Sequence, residues 1–402
     1  MNLEEQIQLI ERGTVDSIGR ERIPELLQNG RKLNVKFGID PTSPNIHLGH
    51  TVPLQKLRQF QLLGHTIHLI IGDYTAMIGD PSGRSETRPI LTREQIASNV
   101  ETYTTQVFKI VDPQHTEVLF NSQWLERISG TDLIQLASKY TVQQLLQRRD
   151  FNNRLEENKP LSVSELLYPL LVGYDSVHLK TDIEIGGTDQ LFNFLASRTL
   201  QNAYGQPPEV VLTLPILEGT DGVRKMSKSF GNTIGVTDEP SDMYGKIMSL
   251  SDTLMIQYFE LLSDISFEEL EKIKNSMREG TMNPMLFKQQ LAREIVQKYH
   301  GLESAIDTES QFNKVHRRKE LPIDAKLLEV SCAFDTNVNI IQLLRASERA
   351  SSNSEARRLL QQGGIKINGD TIKDVCYSVR PEDGTILQVG KCYFRKVQFK
   401  RK

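Results

Sequence analysis

The sequence contains few cysteines and no long apolar run. Its three cysteines among 402 residues, Cys332, Cys376 and Cys392, are too few and too widely separated to predict a disulfide framework or a Cys-rich zinc site. No apolar stretch approaches the roughly 20 residues that span a bilayer, and residues 1–12 lack the apolar core of a secretory signal. We therefore expect a cytoplasmic protein with reduced thiols, no membrane partner and no tightly bound metal.

Charge is unevenly distributed along the chain. A length of 402 residues exceeds what one hydrophobic core usually organises, so two or three domains are expected. From Val338 to the end there are 13 Lys and Arg against 6 Asp and Glu, whereas the remainder has 35 against 45. An acidic body with a basic C-terminal part indicates a polyanionic partner, although an ordinary solvated surface would have the same counts.

The first 235 residues alternate β-rich runs with helical patterns. Strands are predicted at 35–39, 67–71, 117–121, 181–185 and 210–216, and helices at 51–63 and 190–201. Strands separated by crossover helices predict a mostly parallel, Rossmann-like α/β sheet. In such sheets ligands bind beyond the carboxyl ends of the strands.

The pattern changes after residue 235. Helices are predicted at 242–250, 253–261, 267–277 and 285–299, and 321–337 is interpreted as a linker. A small α+β module follows, with helices at 340–346 and 354–361 and strands at 365–367, 386–389 and 393–397; Gly363 ends the second helix in a left-handed conformation. The predicted domains are a Rossmann-like α/β domain (1–235), an α-helical domain (236–320), the linker (321–337) and a small basic domain (338–402).

Two histidines flank a glycine in the segment His47-Leu48-Gly49-His50. Pro53 fits the first turn of a helix, so a helix is expected to begin within a few residues of His50. The positive end of that helix would attract phosphate, and Gly49 would let the backbone approach a nucleotide. A metal site is the alternative for two histidines at this spacing, but no further ligand lies nearby in the sequence.

A glycine-rich basic loop is predicted at 218–233, directly after the last strand of the sheet. It contains the segment Lys225-Met226-Ser227-Lys228-Ser229. Because the loop emerges at the same sheet edge as the histidine segment, its lysines can reach a shared anion. Lysines on such a loop can tighten on charge that develops during phosphoryl displacement. Alone, the loop would be equally compatible with an ordinary charged surface loop.

Together, the two segments resemble the HIGH and KMSKS signatures of the class I aminoacyl-tRNA synthetases, with Leu48 in place of isoleucine. The whole chain further resembles the bacterial tyrosyl-tRNA synthetases, most clearly at 79–83, 168–175 and 186–190. This resemblance implies a homodimeric ligase that activates L-tyrosine with ATP, accompanied by Mg²⁺ as counter-ion, and transfers it to tRNA(Tyr). The alternatives are a tryptophanyl-tRNA synthetase, against which Asp175 and the basic module speak, and a non-catalytic RNA-binding relative.

The resemblance also implies roles for individual residues. The expected catalytic residues are His47, His50, Lys225 and Lys228. The nucleotide would also be contacted by Asp40, Thr42, Gly49, Arg84, Arg88, Gly187, Asp189 and Met226. Tyrosine would be held by Gly38, Asp80, Tyr168, Asp175 and Gln190. Within that set, Asp175 would accept a hydrogen bond from the phenol hydroxyl, and phenylalanine would leave this buried carboxylate unpaired.

Two positions depart from the family pattern. Many tyrosyl-tRNA synthetases have tyrosine where this chain has Lys36, as a further contact to the phenol, and glutamine where it has Val172. Lysine at the first position resembles a second bacterial subgroup of the same family. Both departures concern the expected amino-acid pocket, so its details stay open.

The C-terminal module resembles a small RNA-binding fold named after a ribosomal protein, through segments 346–358 and 363–369. Its expected RNA contacts are Arg349, Arg357, Arg358 and Lys366. Side chains at this spacing can follow an RNA backbone, because helical RNA is recognised largely through shape and phosphates. A purely structural role in stabilising a dimer is the alternative.

Overall fold

The computed structural model describes residues 1–40, 46–79, 92–318, 327–332, 337–380, 385–390 and 393–401. Within these ranges the strands are β1 (Ser17–Ile18), β2 (Asn34–Ile39), β3 (Thr66–Ile71), β4 (Thr116–Phe120), β5 (Ile183–Gly187), β6 (Val210–Leu214), β7 (Leu327–Cys332), β8 (Val338–Asn339), β9 (Ile365–Ile367), β10 (Asp370–Thr371), β11 (Ser378–Val379), β12 (Ile386–Val389) and β13 (Tyr393–Arg401). The α-helices are α1 (Leu3–Glu11), α2 (Ile23–Leu27), α3 (Leu48–Leu62), α4 (Arg93–Val107), α5 (Ser122–Leu125), α6 (Gly130–Ala137), α7 (Val142–Leu145), α8 (Arg149–Glu156), α9 (Val163–Leu179), α10 (Leu191–Ala203), α11 (Pro240–Met248), α12 (Asp252–Leu262), α13 (Phe267–Glu279), α14 (Pro284–His300), α15 (Leu302–Arg318), α16 (Ile340–Ala346) and α17 (Asn353–Gln361). The chain forms two compact units, residues 1–237 with 251–279 and residues 238–250 with 280–402.

A six-stranded sheet occupies the centre of the first unit, in the order β1-β6-β5-β2-β3-β4. Strands β6, β5, β2, β3 and β4 pair in parallel, and the short edge strand β1 pairs antiparallel with β6. The predicted parallel sheet is confirmed. Strand β5 begins two residues later than predicted and β6 ends two residues earlier, because propensity alone does not locate the ends of strands.

The parallel strands are apolar because helices cover both faces of such a sheet. All five residues of β6 are buried, as are five of the six residues of β3. Strands buried on both faces have continuous apolar runs rather than an alternating pattern. These runs therefore made the strands recognisable in the sequence.

The helices between β4 and β5, α5 to α9, are absent from the sequence-based prediction. The longest, α9, begins with a capping box in which Ser162 accepts from the amide of Ser164 and the Glu165 carboxylate accepts from the amide of Ser162. Arg154 of α8 pairs with Glu165 at 2.6 Å in a buried ion pair, which fixes the first turn of α9. The same helix then carries Tyr168 and Asp175 seven residues apart, on one face.

The second unit contains helices α11, α14 and α15 and a C-terminal module. In the module a five-stranded sheet has the order β10-β9-β12-β13-β7, and β7 pairs in parallel with β13, with Leu328 opposite Val397. Strand β7 lies inside the range 321–337 that was expected to be a linker. The helices within 236–320 divide between the units, since α12 and α13 belong to the first and α11, α14 and α15 to the second.

Helices α16 and α17 cover the C-terminal sheet through a core that includes Leu343, Leu360 and Leu387. Helix α17 ends at Gln361, and Gly363 follows two residues later with a φ of 70°, the left-handed conformation predicted for it. Among the described residues, no helix has both the length and the apolar character needed to cross a membrane.

Candidate functional site

A cavity of about 560 Å³ opens in the first unit at the carboxyl ends of the parallel strands. This is the edge at which the sequence predicted a ligand site. The expected site residues in its wall are Gly38, Asp40, His47, Gly49, His50, Tyr168, Asp175, Gly187, Asp189, Gln190, Lys225, Met226 and Lys228. The other expected residues of the site, Thr42, Asp80, Arg84 and Arg88, lie outside the described residues.

Helix α3 begins where the histidine segment predicted a helix. His47 is its N-cap in extended conformation, and Leu48 is the first helical residue. Pro53 therefore lies in the second turn rather than the first. Its missing N–H removes one bond of the helix, to the carbonyl oxygen of Gly49. The amino end of a fifteen-residue helix faces the cavity, so the helix dipole favours an anion there.

The two imidazoles of this segment stack on each other. Their ring centroids are 3.7 Å apart and the planes are inclined by 18°. Burial, the neighbouring His50 and the ammonium of Lys228 lower the pKa of His47 to about 3. Burial and Lys228 lower the pKa of His50 to about 4. Both rings are therefore uncharged near pH 7, and they can offer hydrogen bonds but not a full positive charge.

The loop 218–233 reaches the same point of the cleft. The amide of Gly49 points to Met226 Sδ at 3.4 Å. A Cβ on Gly49 would lie 3.1 Å from the His47 ring and 3.5 Å from Met226 Cβ, so the absence of a side chain lets the helix start and the loop approach. This packing inside the protein is a second reason for glycine, beside the expected approach of a nucleotide.

The segment after the loop is joined to the start of α3 by backbone hydrogen bonds. The amide of Leu48 donates to the carbonyl oxygen of Ile234 at 2.9 Å, and the amide of Val236 donates to that of Ile46 at 3.1 Å. His47 and Gly235 thereby form an antiparallel bridge. The two signature segments, distant in sequence, are thus held next to each other.

Asn232 organises the loop from inside. Its side chain is 2% exposed, and its Oδ1 accepts from the amide of Ser227 at 2.9 Å. Its Nδ2 lies within hydrogen-bond distance of the carbonyl oxygens of Arg224 and Lys225 and of Asp221 Oδ2. One amide side chain therefore sets the path of the backbone on which the loop lysines are carried.

A hydrogen-bonded chain crosses the middle of the cavity. The Tyr168 hydroxyl donates to Asp40 Oδ2 at 2.9 Å, and the Thr75 hydroxyl donates to Asp40 Oδ1 at 3.1 Å. The side-chain amide of Asn121 donates from Nδ2 to the Thr75 hydroxyl oxygen at 3.1 Å. Residues expected to contact the amino acid and the nucleotide are thus directly connected through Asp40.

Asp175 lies deeper, on α9, and is 2% exposed. Its carboxylate accepts from Trp124 Nε1 at 2.7 Å and from Asn121 Nδ2 at 3.3 Å. Burial raises the pKa of Asp175 to about 7, against the opposing effects of Lys36 and these two donors. A carboxylate offers about four acceptor positions, so it can accept a further hydrogen bond from the cavity.

The end of β5 and the turn after it contain two glycines and bring two polar side chains to the cavity. Gln190 Oε1 accepts from the amide of Gly187 at 3.3 Å. A Cβ on Gly186 would collide with the side chains of Gln190 and Phe194, and one on Gly187 would lie 2.6 Å from Asp189 Oδ1. Glycine at both positions therefore permits the close turn that brings Asp189 and Gln190 to the cavity.

The expected RNA contacts lie on the C-terminal module of the second unit. Arg357 and Arg358 are exposed on α17, and Lys366 is half-buried on β9. Arg349 is exposed before α17 and stacks over the ring of Tyr393, with its guanidinium carbon 4.3 Å from the ring centroid. Arginine stacked on an aromatic ring keeps its outward donors available for phosphate.

The sequence did not identify Asn121, Trp124 or Asn232 as members of the site. Asn121 is the last residue of the strand predicted at 117–121 and directly follows the observed β4, and that position at the carboxyl end of a strand was the available signal. Trp124 acts through a contact with Asp175, 51 residues away, which sequence order does not indicate. Asn232 lies in the predicted loop 218–233, but the composition of the loop does not single it out.

Two family models match the chain. Residues 28–317 match the family described as tRNA synthetases class I (W and Y). Residues 326–391 match the tyrosine--tRNA ligase SYY-like C-terminal domain.

Full-length relatives and solved structures agree with these matches. The chain is 49% identical over 397 residues to a tyrosine--tRNA ligase of Thermotoga maritima, covering 99% of this chain and 98% of the relative. It is 50% identical over 402 residues to one of Desulfotalea psychrophila, covering 99% of each. The crystal structure of tyrosyl-tRNA synthetase complexed with L-tyrosine from Archaeoglobus fulgidus has the same fold, with a TM-score of 0.62 and 24% identity, over 77% of this chain and 100% of that one.

Proposed function

The chain belongs to the class I tRNA synthetases of the tryptophan and tyrosine family and catalyses tyrosine–tRNA ligation, and we propose that the cleft at its sheet edge carries out both steps. In the first step a carboxylate oxygen of L-tyrosine attacks the α-phosphorus of ATP, and pyrophosphate leaves. In the second step a hydroxyl of the 3′-terminal adenosine of tRNA(Tyr) takes the tyrosyl group from the adenylate, and AMP leaves.

Neither step requires a protein nucleophile, so positioning and electrostatic stabilisation supply the catalysis.

The observation that carries this proposal is the meeting of Lys228 with the stacked pair His47 and His50 at the amino end of α3. Lys228 is close enough for its charge to lower the pKa of both imidazoles. A helix amino end, two neutral hydrogen-bond donors and a cation thus converge at one wall of the cavity. This combination suits an anion whose negative charge increases during the reaction, as it does on the departing pyrophosphate.

The proposed roles at the nucleotide follow from this arrangement. His47, His50, Lys225 and Lys228 act on the phosphates as the catalytic residues, with Mg²⁺ arriving as part of the ATP substrate. Asp189 binds the ribose. The further proposed nucleotide contacts are Asp40, Thr42, Gly49, Arg84, Arg88, Gly187 and Met226. A buried His47 Nδ1 without a hydrogen-bond partner among the described residues supports a ligand at this end of the cleft.

The proposed roles at the amino acid use the other end of the cavity. Asp175 accepts the phenol hydrogen, while Asp80, Tyr168 and Gln190 bind the ammonium and carboxylate groups, beside the backbone of Gly38. The burial of Asp175 and its two neutral donors support this role, because they leave the carboxylate capacity for one more hydrogen bond. Tyrosine supplies that hydrogen bond and phenylalanine does not.

Exchange of labelled pyrophosphate into ATP tests the proposal with tyrosine, tryptophan and phenylalanine in turn. We expect exchange that depends on tyrosine and is weak with the other two. Exchange that depends on tryptophan would identify the related specificity instead. A complete lack of exchange would favour a relative that binds RNA without catalysis.

The finer organisation of the chain is part of the proposal. We propose a catalytic domain at 1–235, a helical domain at 236–320, a connecting segment at 321–337 that includes strand β7 of the C-terminal sheet, and an RNA-binding domain at 338–402. The two family matches, 28–317 and 326–391, support a boundary between the helical domain and the segments that follow it. We also propose that the enzyme works in the cytoplasm, where its tRNA substrate is used.

The basic C-terminal module is proposed to bind the tRNA through Arg349, Arg357, Arg358 and Lys366. Replacing Arg357 and Arg358 together by glutamate should lower kcat/KM for tRNA by about tenfold or more, because phosphate contacts are lost and like charges are introduced. Tyrosine-dependent pyrophosphate exchange should be unchanged. In a plot of the logarithm of the tRNA binding constant against the logarithm of the salt concentration, the slope should become less steep by about one for each lost phosphate contact. An unaltered salt dependence would assign the two arginines a structural role.

A homodimer is also proposed. Two exposed aliphatic side chains support it, Ile134 on α6 and Val163 at the start of α9, each 72% exposed. Light scattering after gel filtration should give twice the mass of one chain. Replacing both residues by glutamate should reduce the mass to that of one chain, whereas Leu62→Glu, at a similarly exposed position on α3, should not. A wild-type mass equal to one chain would contradict the proposal.

A further inference from the structure

A buried ion pair lies beneath the amino-acid end of the cleft. Lys36 of β2 is 0% exposed and Glu184 of β5 is 1% exposed, and Lys36 Nζ lies 2.7 Å from Glu184 Oε1. The same nitrogen donates to Ser176 Oγ at 2.9 Å and to the carbonyl oxygen of Val172 at 3.1 Å. These three acceptors use all three hydrogens of the ammonium group, so the charge is fixed in position without solvent.

Two of these contacts connect Lys36 to the part of α9 that carries Asp175. Ser176 directly follows Asp175, and Val172 lies one turn earlier on the same helix. The side chains of Lys36, Val172, Asp175 and Glu184 all contribute to the cavity wall. The lysine that replaces a tyrosine in the family pattern is therefore attached to the helix that presents the phenol-binding carboxylate.

The groups that face Asp175 from neighbouring elements differ in charge. Trp124 and Asn121 donate neutral hydrogen bonds to it, Lys36 contributes a positive charge from β2, and Glu184 contributes a weaker negative effect from β5. Burial alone favours the protonated acid. The charge of Lys36 is thus the strongest influence in the described surroundings of Asp175 that favours the ionised form.

Glu209, which precedes β6, completes the cluster. Burial and the neighbouring Glu184 raise the pKa of Glu209 well above its ordinary value, which favours the protonated carboxyl. Burial also raises the pKa of Glu184, but Lys36 and its hydrogen bonds outweigh burial and the net shift is downward. These shifts favour the charged forms of Lys36 and Glu184 and the neutral form of Glu209.

We propose that Lys36 is a positioning residue for tyrosine selection, whose fixed ammonium keeps the Asp175 carboxylate ionised and able to accept the phenol hydrogen. This inference rests on the proposed function of the cleft. It explains how the pocket works without a tyrosine at position 36, because the lysine acts on the carboxylate and not on the substrate. Val172 is compatible with this arrangement, since its backbone carbonyl is the group that Lys36 binds.

The dependence of kcat/KM for tyrosine on pH, measured by pyrophosphate exchange between pH 6 and 8.5, tests this role. In the wild type kcat/KM should fall as the pH decreases through about 7, where Asp175 takes up a proton. The double variant Lys36→Met/Glu184→Gln removes the ion pair without leaving an unpaired charge. Its fall should begin about one pH unit higher, which lowers kcat/KM about threefold at pH 7.5 and about tenfold at pH 6. The loss should largely disappear at pH 8.5, and KM for ATP should stay within about twofold.

Three single variants allow the test to be completed even if one of the variant proteins fails to fold. Lys36→Gln removes the charge and keeps a hydrogen-bond donor, so its profile should shift to higher pH. Glu184→Gln removes the opposing negative charge, so its profile should shift to lower pH. Glu209→Gln replaces a neutral carboxyl by a neutral amide of the same shape and should leave the profile in place.

The outcomes separate the inference from the proposed function. Folded variants of Lys36 or Glu184 with the wild-type pH profile would overturn the role of Lys36 while tyrosine-dependent exchange persists. A loss in Lys36→Gln that is equal at every pH would also overturn it, because it would indicate a packing defect. Wild-type exchange that does not depend on tyrosine would instead overturn the function of the cleft.

Discussion

Replacing Lys228 by alanine is expected to slow the formation of tyrosyl-adenylate by about 10²- to 10³-fold, the range typical for removing one group that stabilises transition-state charge. The side chain approaches His47 and His50 at the amino end of α3, where the phosphates are proposed to bind. Tyrosine is proposed to bind around Asp175 and not at the phosphates, so its dissociation constant should change little. Single-turnover measurement of adenylate formation and equilibrium dialysis of tyrosine give the two quantities separately.

Two control variants show whether the loss comes from the charge of Lys228 at this position. Lys228→Arg keeps the charge and should retain a larger part of the rate than alanine does. Arg224 lies on the same loop but pairs with Asp221 at 3.0 Å and does not contribute to the cavity wall, so Arg224→Ala should cost far less. Weaker tyrosine binding with an unchanged rate of activation in Lys228→Ala would contradict the assigned role.

Asp175→Asn is expected to lower kcat/KM for tyrosine by about 10²-fold, since an acceptor with a full charge is replaced by a neutral group that must also satisfy two protein donors. Trp124 and Asn121 both donate to this carboxylate, and the asparagine side chain offers a single acceptor oxygen in place of two. The decrease with phenylalanine should be much smaller, because phenylalanine makes no hydrogen bond there. Pyrophosphate exchange with the two amino acids measures the change in their ratio.

A second buried aspartate supplies the matched control. Asp182 lies at the amino end of β5, where it pairs with Arg31 at 2.7 Å and accepts from the amide of Asn34 at 3.0 Å. Asp182→Asn should lower the free energy of unfolding without changing the preference for tyrosine. Equal losses with tyrosine and phenylalanine in Asp175→Asn would show that the substitution damages the fold and not the recognition of the hydroxyl.

The sheet and both signature segments were predictable from sequence because each depends on local order. Strands buried on both faces leave uninterrupted apolar runs, and the runs located β2, β3, β4 and β6 to within two residues. The start of α3 was also found correctly, although Pro53 lies one turn further into the helix than expected. Local patterns thus identified the sheet edge at which the site is built.

The remaining parts of the site depend on pairings between distant residues, and the sequence contains no local signal for them. Lys36 could have paired with any of the 51 acidic residues, and parallel pairing of β2 with β5 selects Glu184. The same applies to helix α9. Helical periodicity brings Tyr168 and Asp175 to one face of it, but the surrounding apolar residues hid this periodicity in the sequence. For this reason the departure at Lys36 acquired a physical explanation only in the structure.

The bridge between His47 and Gly235 has a consequence for the order in which the enzyme is built. It closes a loop of about 190 residues, a contact of high sequence separation that is slow to form. The amino end of α3 therefore obtains its neighbours Ile234 and Val236 only after the chain beyond β6 has emerged and folded back. During synthesis the N-terminal strands can assemble early, but the corner proposed to bind the phosphates is completed only late.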